Sequence, residues 1–285
     1  MRPARALIGW MPEEEALMLL GVPETPLTPL PQHIHRVQTA QNAVRARRSG
    51  VEQERVLSEA GEELQAYAAA LKESPQYRRY FAGDWTIKIV DLQKLCALQP
   101  IVHLDYAERS GQPEEALPAP DDMLGLARLT LPMHNRNHLP QAEFDAQHSV
   151  WKLNTCNTDA KIVGQYNQQI EIQPGLFGAI YGFCIAETPS AAQVVRYRGR
   201  YLLTDGYHRS LMLLRSGVSH LPALYREYAP TEEIHVDGRF ANEILLGERP
   251  PLLSDYLRDD VAAQVSHFAC KKVIAIQAEQ SLSWG

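Results

Sequence analysis

The chain holds only four cysteines in 285 residues, at positions 96, 156, 184 and 270, and no Cys-x-x-Cys pair. So few scattered thiols argue against a disulfide framework and against a thiolate zinc site, and they suit the reduced thiols of a cytosol. Long apolar runs are missing too: nothing approaches the ~18 residues a membrane span requires. The apolar stretch after Arg5 is cut short by Pro12 and by Glu13, Glu14 and Glu15, too soon for a signal-peptide core. Positive charge is not in excess, since 28 Lys and Arg stand against 34 Asp and Glu for a formal net charge of −6. A general grip on nucleic acid is therefore disfavoured. Internal repeats, heptads and the Walker-type phosphate loop are absent. What remains is a cytoplasmic globular protein, 45% hydrophobic, long enough for one large domain or two small ones.

Against these absences, residues 201–217 stand out as a strand, a glycine turn and a short helix. Tyr201, Leu202 and Leu203 follow a β-rich run, and Gly199 between the two predicts a hairpin. Asp205 and Gly206 break the strand. Leu211 and Leu214 mark one face of a helix opening at Tyr207, and Gly217 supplies its stop signal. Residues 218–225 read as the next strand. A backbone that turns from strand to helix at a glycine points N–H groups at whatever sits above it, and such a nest favours anions. Arg209 would add a charged fork suited to phosphate or carboxylate. Ordinary roles fit the same residues singly: Asp205 as a helix N-cap, Arg209 paired with a surface carboxylate, His208 on the surface. Their concentration in consecutive positions is what favours a site. An Asp carboxylate there would repel a bare phosphate, so phosphate binding would bring in Mg²⁺ or a protonated His208.

The run Leu203-Thr-Asp-Gly-Tyr-His-Arg-Ser210, with Gly217 and Leu221-Pro222 beyond it, resembles a characteristic box of the ParB/sulfiredoxin-like superfamily. That group includes chromosome-partition CTPases, sulfiredoxins and ParB-like free-serine kinases. In it a G-x-[HR]-R turn opens a helix and holds nucleotide phosphates, and the helix ends at a glycine before an Ile/Leu-Pro strand. Residues 205–209 are most similar to the D-G-H-H-R version of the kinase-like branch, with Tyr207 in place of the first His. Sulfiredoxins carry their reactive Cys at that place, so Tyr207 speaks against sulfiredoxin chemistry. The resemblance covers about 30 residues closely and extends loosely over residues 85–228.

The rest of the chain frames this turn. Residues 13–20 predict a short helix closed by Gly21, and a proline-rich connector follows. A basic helix over 33–48 precedes an acidic one over 51–71, which reads as a hairpin with paired outer faces. Residues 85–90 alternate as a strand, and 91–98 fit one or two helical turns. His134 and His138 have the spacing of a metal pair, with His148 further on. The flanking Pro132 and Pro140 argue against the helix that would align them, and favour a polar loop. Strand pieces are expected at 161–163 and 169–172. The apolar run 176–186 reads as a buried strand, closed by Glu187, a candidate general base or a plain loop-edge acid. Helices are expected at 241–246 and 253–265, and a last strand at 272–277.

These readings give an α+β fold: an N-terminal helical region over residues 1–83, then a mixed-sheet core of ParB/sulfiredoxin-like type over 84–285 with a C-terminal extension. The resemblance implies a nucleotide-dependent enzyme, a small-molecule phosphotransferase (kinase) or NTPase, using ATP or CTP with Mg²⁺. Gly206, Tyr207 and Ser210 would face the nucleotide. Arg209 would neutralise charge in phosphoryl transfer, His208 would donate to a phosphate, and Asp205 would hold the metal or orient the acceptor. A non-catalytic nucleotide-sensing regulator or adaptor is the alternative, and a nuclease or DNA-binding ParB-like protein the third. The expected partners are a nucleotide and a small-molecule acceptor, with no membrane or nucleic acid, and a homodimer through the N-terminal helices.

Overall fold

A computed structural model describes residues 1–21, 30–50, 54–105, 117–133, 142–155, 160–187, 190–229, 231–234, 238–268 and 272–277. In chain order they form β1 (Arg2–Ala6), α1 (Glu13–Gly21), α2 (Pro31–Ala46), β2 (Leu57–Glu59), α3 (Glu62–Glu73), α4 (Arg78–Phe81) and β3 (Thr86–Asp91). Next come β4 (Cys96–Ala97), β5 (Ile101–His103), α5 (Met123–Thr130), β6 (Glu143–Asp145), β7 (Val150–Thr155), β8 (Ala160–Gln173) and β9 (Leu176–Glu187). The series closes with β10 (Gln193–Tyr197), β11 (Arg200–Asp205), α6 (Tyr207–Arg215), β12 (His220–Glu227), α7 (Asn242–Leu245), β13 (Ala263–His267) and β14 (Lys272–Gln277). The fold is α+β, and the chain divides into two units. Met1–Met133 and Ser190–Phe268 make the first; His134–Pro189 and Ala269–Gly285 make the second.

At the centre of the first unit is a mixed six-stranded sheet in the order β2-β3-β12-β10-β11-β4. β10 and β12 run parallel, as do β11 and β4, while the β3–β12 and β10–β11 pairs are antiparallel. Arg198 at φ 46° and Gly199 at φ 80° make the tight turn between β10 and β11, where positive φ at both central residues matches the twist of the flanking strands. Leu202, Leu203, Val194, Val195 and Leu221 are fully buried, each contributing about 1.5–3 kcal/mol by leaving water. A second sheet sets β1 between β13 and β5, antiparallel to both.

Several elements differ from the sequence reading. The acidic stretch 51–71 is not one helix: Leu57–Glu59 pair with β3, where Lys88 reaches Glu59, and the helix starts only at Glu62 behind Gly61. The basic side chains of α2 and its C-cap do not answer to α3. Arg36 donates to the carbonyls of Asp259 and Ala262, and Arg47 pairs with Asp255 at 2.8 Å. The helix expected over 253–265 is a 3₁₀ turn, Leu253–Leu257, followed by β13. There the buried Asp255 carboxylate takes the Leu252 N–H at 2.8 Å and caps the start of the turn. β1 itself went unread.

The second unit contains a three-stranded sheet, β14-β7-β6, and a separate two-stranded ribbon, β8-β9. Leu153, Ala160 and Ile274 form its small core, with Ile185 against them. β8 is one continuous strand rather than two pieces, and β9 is a strand but not a buried one: Phe177 is 75% exposed and Tyr181 80%. An apolar run marks burial only when a second layer covers it, and among the described residues β9 is paired with β8 alone.

Candidate functional site

The predicted strand–glycine–helix turn is present, and Gly206 makes it. Its φ of 87° lies in the left-handed region, and a Cβ there would stand 2.9 Å from Ala192 Cα. Only glycine meets both conditions without strain. Gly206 is also the N-cap of α6, and no side chain caps the helix. Asp205 is therefore not the N-cap. Its carboxylate looks backwards: Oδ1 accepts from the Gly206 N–H at 2.6 Å and the Ser190 hydroxyl at 3.0 Å, and Oδ2 from Gln193 Nε2 at 3.2 Å.

The residues after Gly206 take different directions. Tyr207 points inwards and is buried; its hydroxyl accepts from the Leu98 N–H and donates to the Leu203 carbonyl. Burial pushes its phenol well above the usual range. Ser210 is fully buried, and its hydroxyl has no hydrogen-bond partner among the described residues. Arg209 is buried as well, rather than set against a surface carboxylate. Its Nη1 donates to the Ser190 carbonyl at 2.9 Å and the Thr130 carbonyl at 3.2 Å.

Those two carbonyls belong to a constructed junction. Thr130 ends α5, where unpaired carbonyls call for donors. Ala192 N–H supplies Thr130 at 2.8 Å, the Tyr67 hydroxyl supplies Leu131 at 2.8 Å, and the Tyr77 hydroxyl supplies Pro132 at 3.0 Å. A guanidinium at a helix C-terminus also meets the negative end of the helix dipole. Arg209 thus joins the last turn of α5 to the segment that leads into β10.

His208 alone of these side chains turns towards the other sheet. It is half-buried and stacks on His103 of β5, with ring centroids 5.9 Å apart and planes 11° from parallel. His103 in turn meets His267 of β13, Nε2 to Nδ1 at 3.3 Å, a hydrogen bond whose direction the tautomers set. The register explains the meeting: His103 lies opposite Ala4 and His267 opposite Arg2, on the two flanks of β1. Beside them Arg2 pairs with Asp105 at 3.2 Å. Of the two contacts, the His103–His267 hydrogen bond can pass a proton, whereas the His103–His208 contact is a ring stack. Neither His103 nor His267 was found from sequence, since positions 103, 208 and 267 meet only through the sheet; the short apolar run 101–105 was the one local signal.

Of the other candidates, none is on the turn itself. Glu187 ends β9 in the second unit. His148 of that unit is exposed and bonded to Asp145 at 2.9 Å; His134 and His138 lie outside the described residues. Among the described residues no group of three or more His, Cys, Asp or Glu side chains is arranged to hold a metal ion. Nor is any described helix long and apolar enough to cross a membrane.

Compared with protein-family models, with curated proteins and with solved structures, the chain matches none. The class is accordingly defined by its own geometry: an α+β protein whose mixed sheet delivers a strand, a left-handed glycine and a helix N-terminus to one place.

Proposed function

We propose that the turn at 205–210 holds the phosphates of a nucleotide and that the chain is a nucleotide-dependent enzyme, a small-molecule phosphotransferase or NTPase of ParB/sulfiredoxin-like type working in the cytosol. The observation that carries this reading is Gly206, which turns β11 into α6 with no side chain over the helix N-terminus. Gly206 N–H already serves Asp205, so the phosphate oxygens fall to the N–H groups after it. His208 donates from the half-buried side of the turn, its ring held in place by stacking on His103. Arg209 acts from a fixed position, its guanidinium braced by two carbonyls, and contributes positive charge at no reorganisation cost.

ATP or CTP with Mg²⁺ is the cofactor set this reading takes. A single carboxylate at the turn suits Mg²⁺, which keeps several waters and binds through one or two carboxylates plus phosphates. Mg²⁺ would supply charge neutralisation across the phosphates. Asp205 is the residue to hold it or to orient the acceptor, and to do so it must release Ser190 or Gln193.

A second reading, a nucleotide-sensing regulator without catalysis, draws on the double grip on Ser190. Asp205 holds its hydroxyl and Arg209 its carbonyl, so a ligand that recruits either side chain would loosen that segment.

Thermal-shift measurements against ATP, CTP, GTP and their diphosphates, with and without Mg²⁺, test both. A nucleotide at about 100 times its dissociation constant adds roughly 2.7 kcal/mol. A magnesium-dependent rise that disappears in His208→Ala supports the site, and turnover then separates enzyme from sensor. No shift with any nucleotide removes both readings.

A further inference from the structure

Among the described residues, seventeen large apolar side chains are exposed, and twelve belong to the second unit although the first is much the larger. Nine of the twelve lie on the β8–β9 ribbon and are between 46% and 80% exposed. At about 150–250 Å² for an aromatic side chain and somewhat less for the aliphatic ones, they leave on the order of 900 Å² open. That exceeds the few hundred Å² usual for a solvated patch and marks the ribbon as an interaction surface. A lone two-stranded ribbon is also marginal in water.

Edge strands are normally defended by Lys, Pro or a bulge. β9 has none of these between Leu176 and Ala186, and no charge of either sign; the irregularities of register fall in β8, after Ile162 and after Glu171. β8 carries polar side chains instead, so that Gln165, Asn167 and Glu171 stand opposite Phe183, Tyr181 and Phe177. The undefended edge is β9.

We propose that β9 pairs antiparallel with β9 of a second copy of this chain, joining the two ribbons into one four-stranded sheet. A second copy fits because an uncharged strand meets itself without repulsion, whereas other surfaces of a chain with net charge −6 repel their own kind. Antiparallel pairing of identical strands is also two-fold symmetric, uses up both β9 edges and stops at the dimer. The aromatic column Phe177, Tyr181 and Phe183 then has its counterpart on the neighbouring strand, where cross-strand aromatic pairs stabilise a sheet. The N-terminal helices are less suited to the contact, since α2 turns Val37, Ala40 and Val44 into the core.

Sedimentation velocity of the full chain over a hundredfold range of concentration tests the pairing. The expected mass is twice 32.1 kDa, falling to one chain in Tyr181→Lys and in Phe177→Lys, while Gln169→Lys on β8 remains dimeric. Both β9 positions are open to water in a single chain, so lysine there spares folding. Alkylation gives an independent readout: the exposed Cys184 of β9 reacts slowly in the dimer and several-fold faster in Tyr181→Lys. Four results each overturn the proposal: a wild-type monomer at every concentration, an assembly larger than two, equal dissociation of the β8 and β9 variants, or a Cys184 equally reactive in all of them. A monomer that instead captures vesicles or another protein assigns the ribbon to that partner and overturns it too.

Discussion

Arg209 and Ser190 are joined at 2.9 Å from guanidinium to carbonyl, and the Ser190 hydroxyl returns to Asp205 at 3.0 Å, so one residue is gripped from both ends of the turn. The grip lies at the place where the chain re-enters the first unit, and Thr130, the other carbonyl on Arg209, lies just before it leaves. The residues that make the turn a candidate phosphate site therefore also hold that junction closed.

Arg209→Ala takes a donor from the partly buried Ser190 carbonyl and from the buried Thr130 carbonyl, and opens space beneath the turn. The expected loss is about 2–4 kcal/mol of unfolding free energy. Arg209→Lys, whose ammonium does not reproduce the planar fork, loses about half as much. Urea denaturation measures both, and an unchanged midpoint in the alanine variant would show that the two bonds carry no weight.

Gly206→Ala forces a Cβ into the left-handed region and against Ala192 Cα at 2.9 Å. The backbone term costs about 1–2 kcal/mol and the displaced neighbour about as much again. Thermal unfolding of this variant should fall well below that of Gly217→Ala. Gly217 shares the left-handed φ, at 87°, but has open space around it, so the difference between the two isolates the close approach.

Tyr207→Phe removes a hydroxyl that serves Leu98 N–H and Leu203 carbonyl inside the core. About 1–3 kcal/mol should be lost. Amide exchange localises the effect: the Leu98 N–H, protected in the parent, should exchange faster in the variant. Equal protection would mean another acceptor takes the proton.

Alkaline pH should destabilise the fold. Burial pushes the Cys96 thiol from 9.0 up to about 12, and it raises Tyr77, Tyr207 and Tyr256 above their ordinary 10.0. Above pH 9 the unfolded chain gives up protons that the folded chain keeps, so the unfolded state gains as pH rises. These groups change nothing below about pH 9 and subtract stability progressively from there towards 12. The melting temperature should fall across that window, and the Cys96 peptide should resist alkylation at pH 9 until denaturant is added. Rapid labelling of Cys96 in the native protein would contradict its burial.

What was legible in the sequence was local. The hairpin at Gly199, the turn at Gly206 and the helix stop at Gly217 follow from residues whose neighbours in sequence are their neighbours in space, and all three glycines have positive φ. The environment of Arg209 was not legible, because its carbonyl partners lie 19 and 79 residues away. β1 escaped for the same reason: five residues with a proline give little alternation, and its partners are β5 and β13. β9 shows the converse. Its apolar run identified a strand, but what covers a strand depends on the layer beside it, which the run itself does not encode.

The order of synthesis gives the divided first unit a last consequence. When Met133 has been made, β2, β3 and β4 exist, but β10, β11 and β12, which complete their sheet, do not, and β1 still awaits β13. All of His134–Pro189 must be translated before the missing strands emerge. The early segments, with Ile89, Val90 and Leu98 destined for the core, therefore remain uncovered on the ribosome, a state that favours slow folding and capture by chaperones.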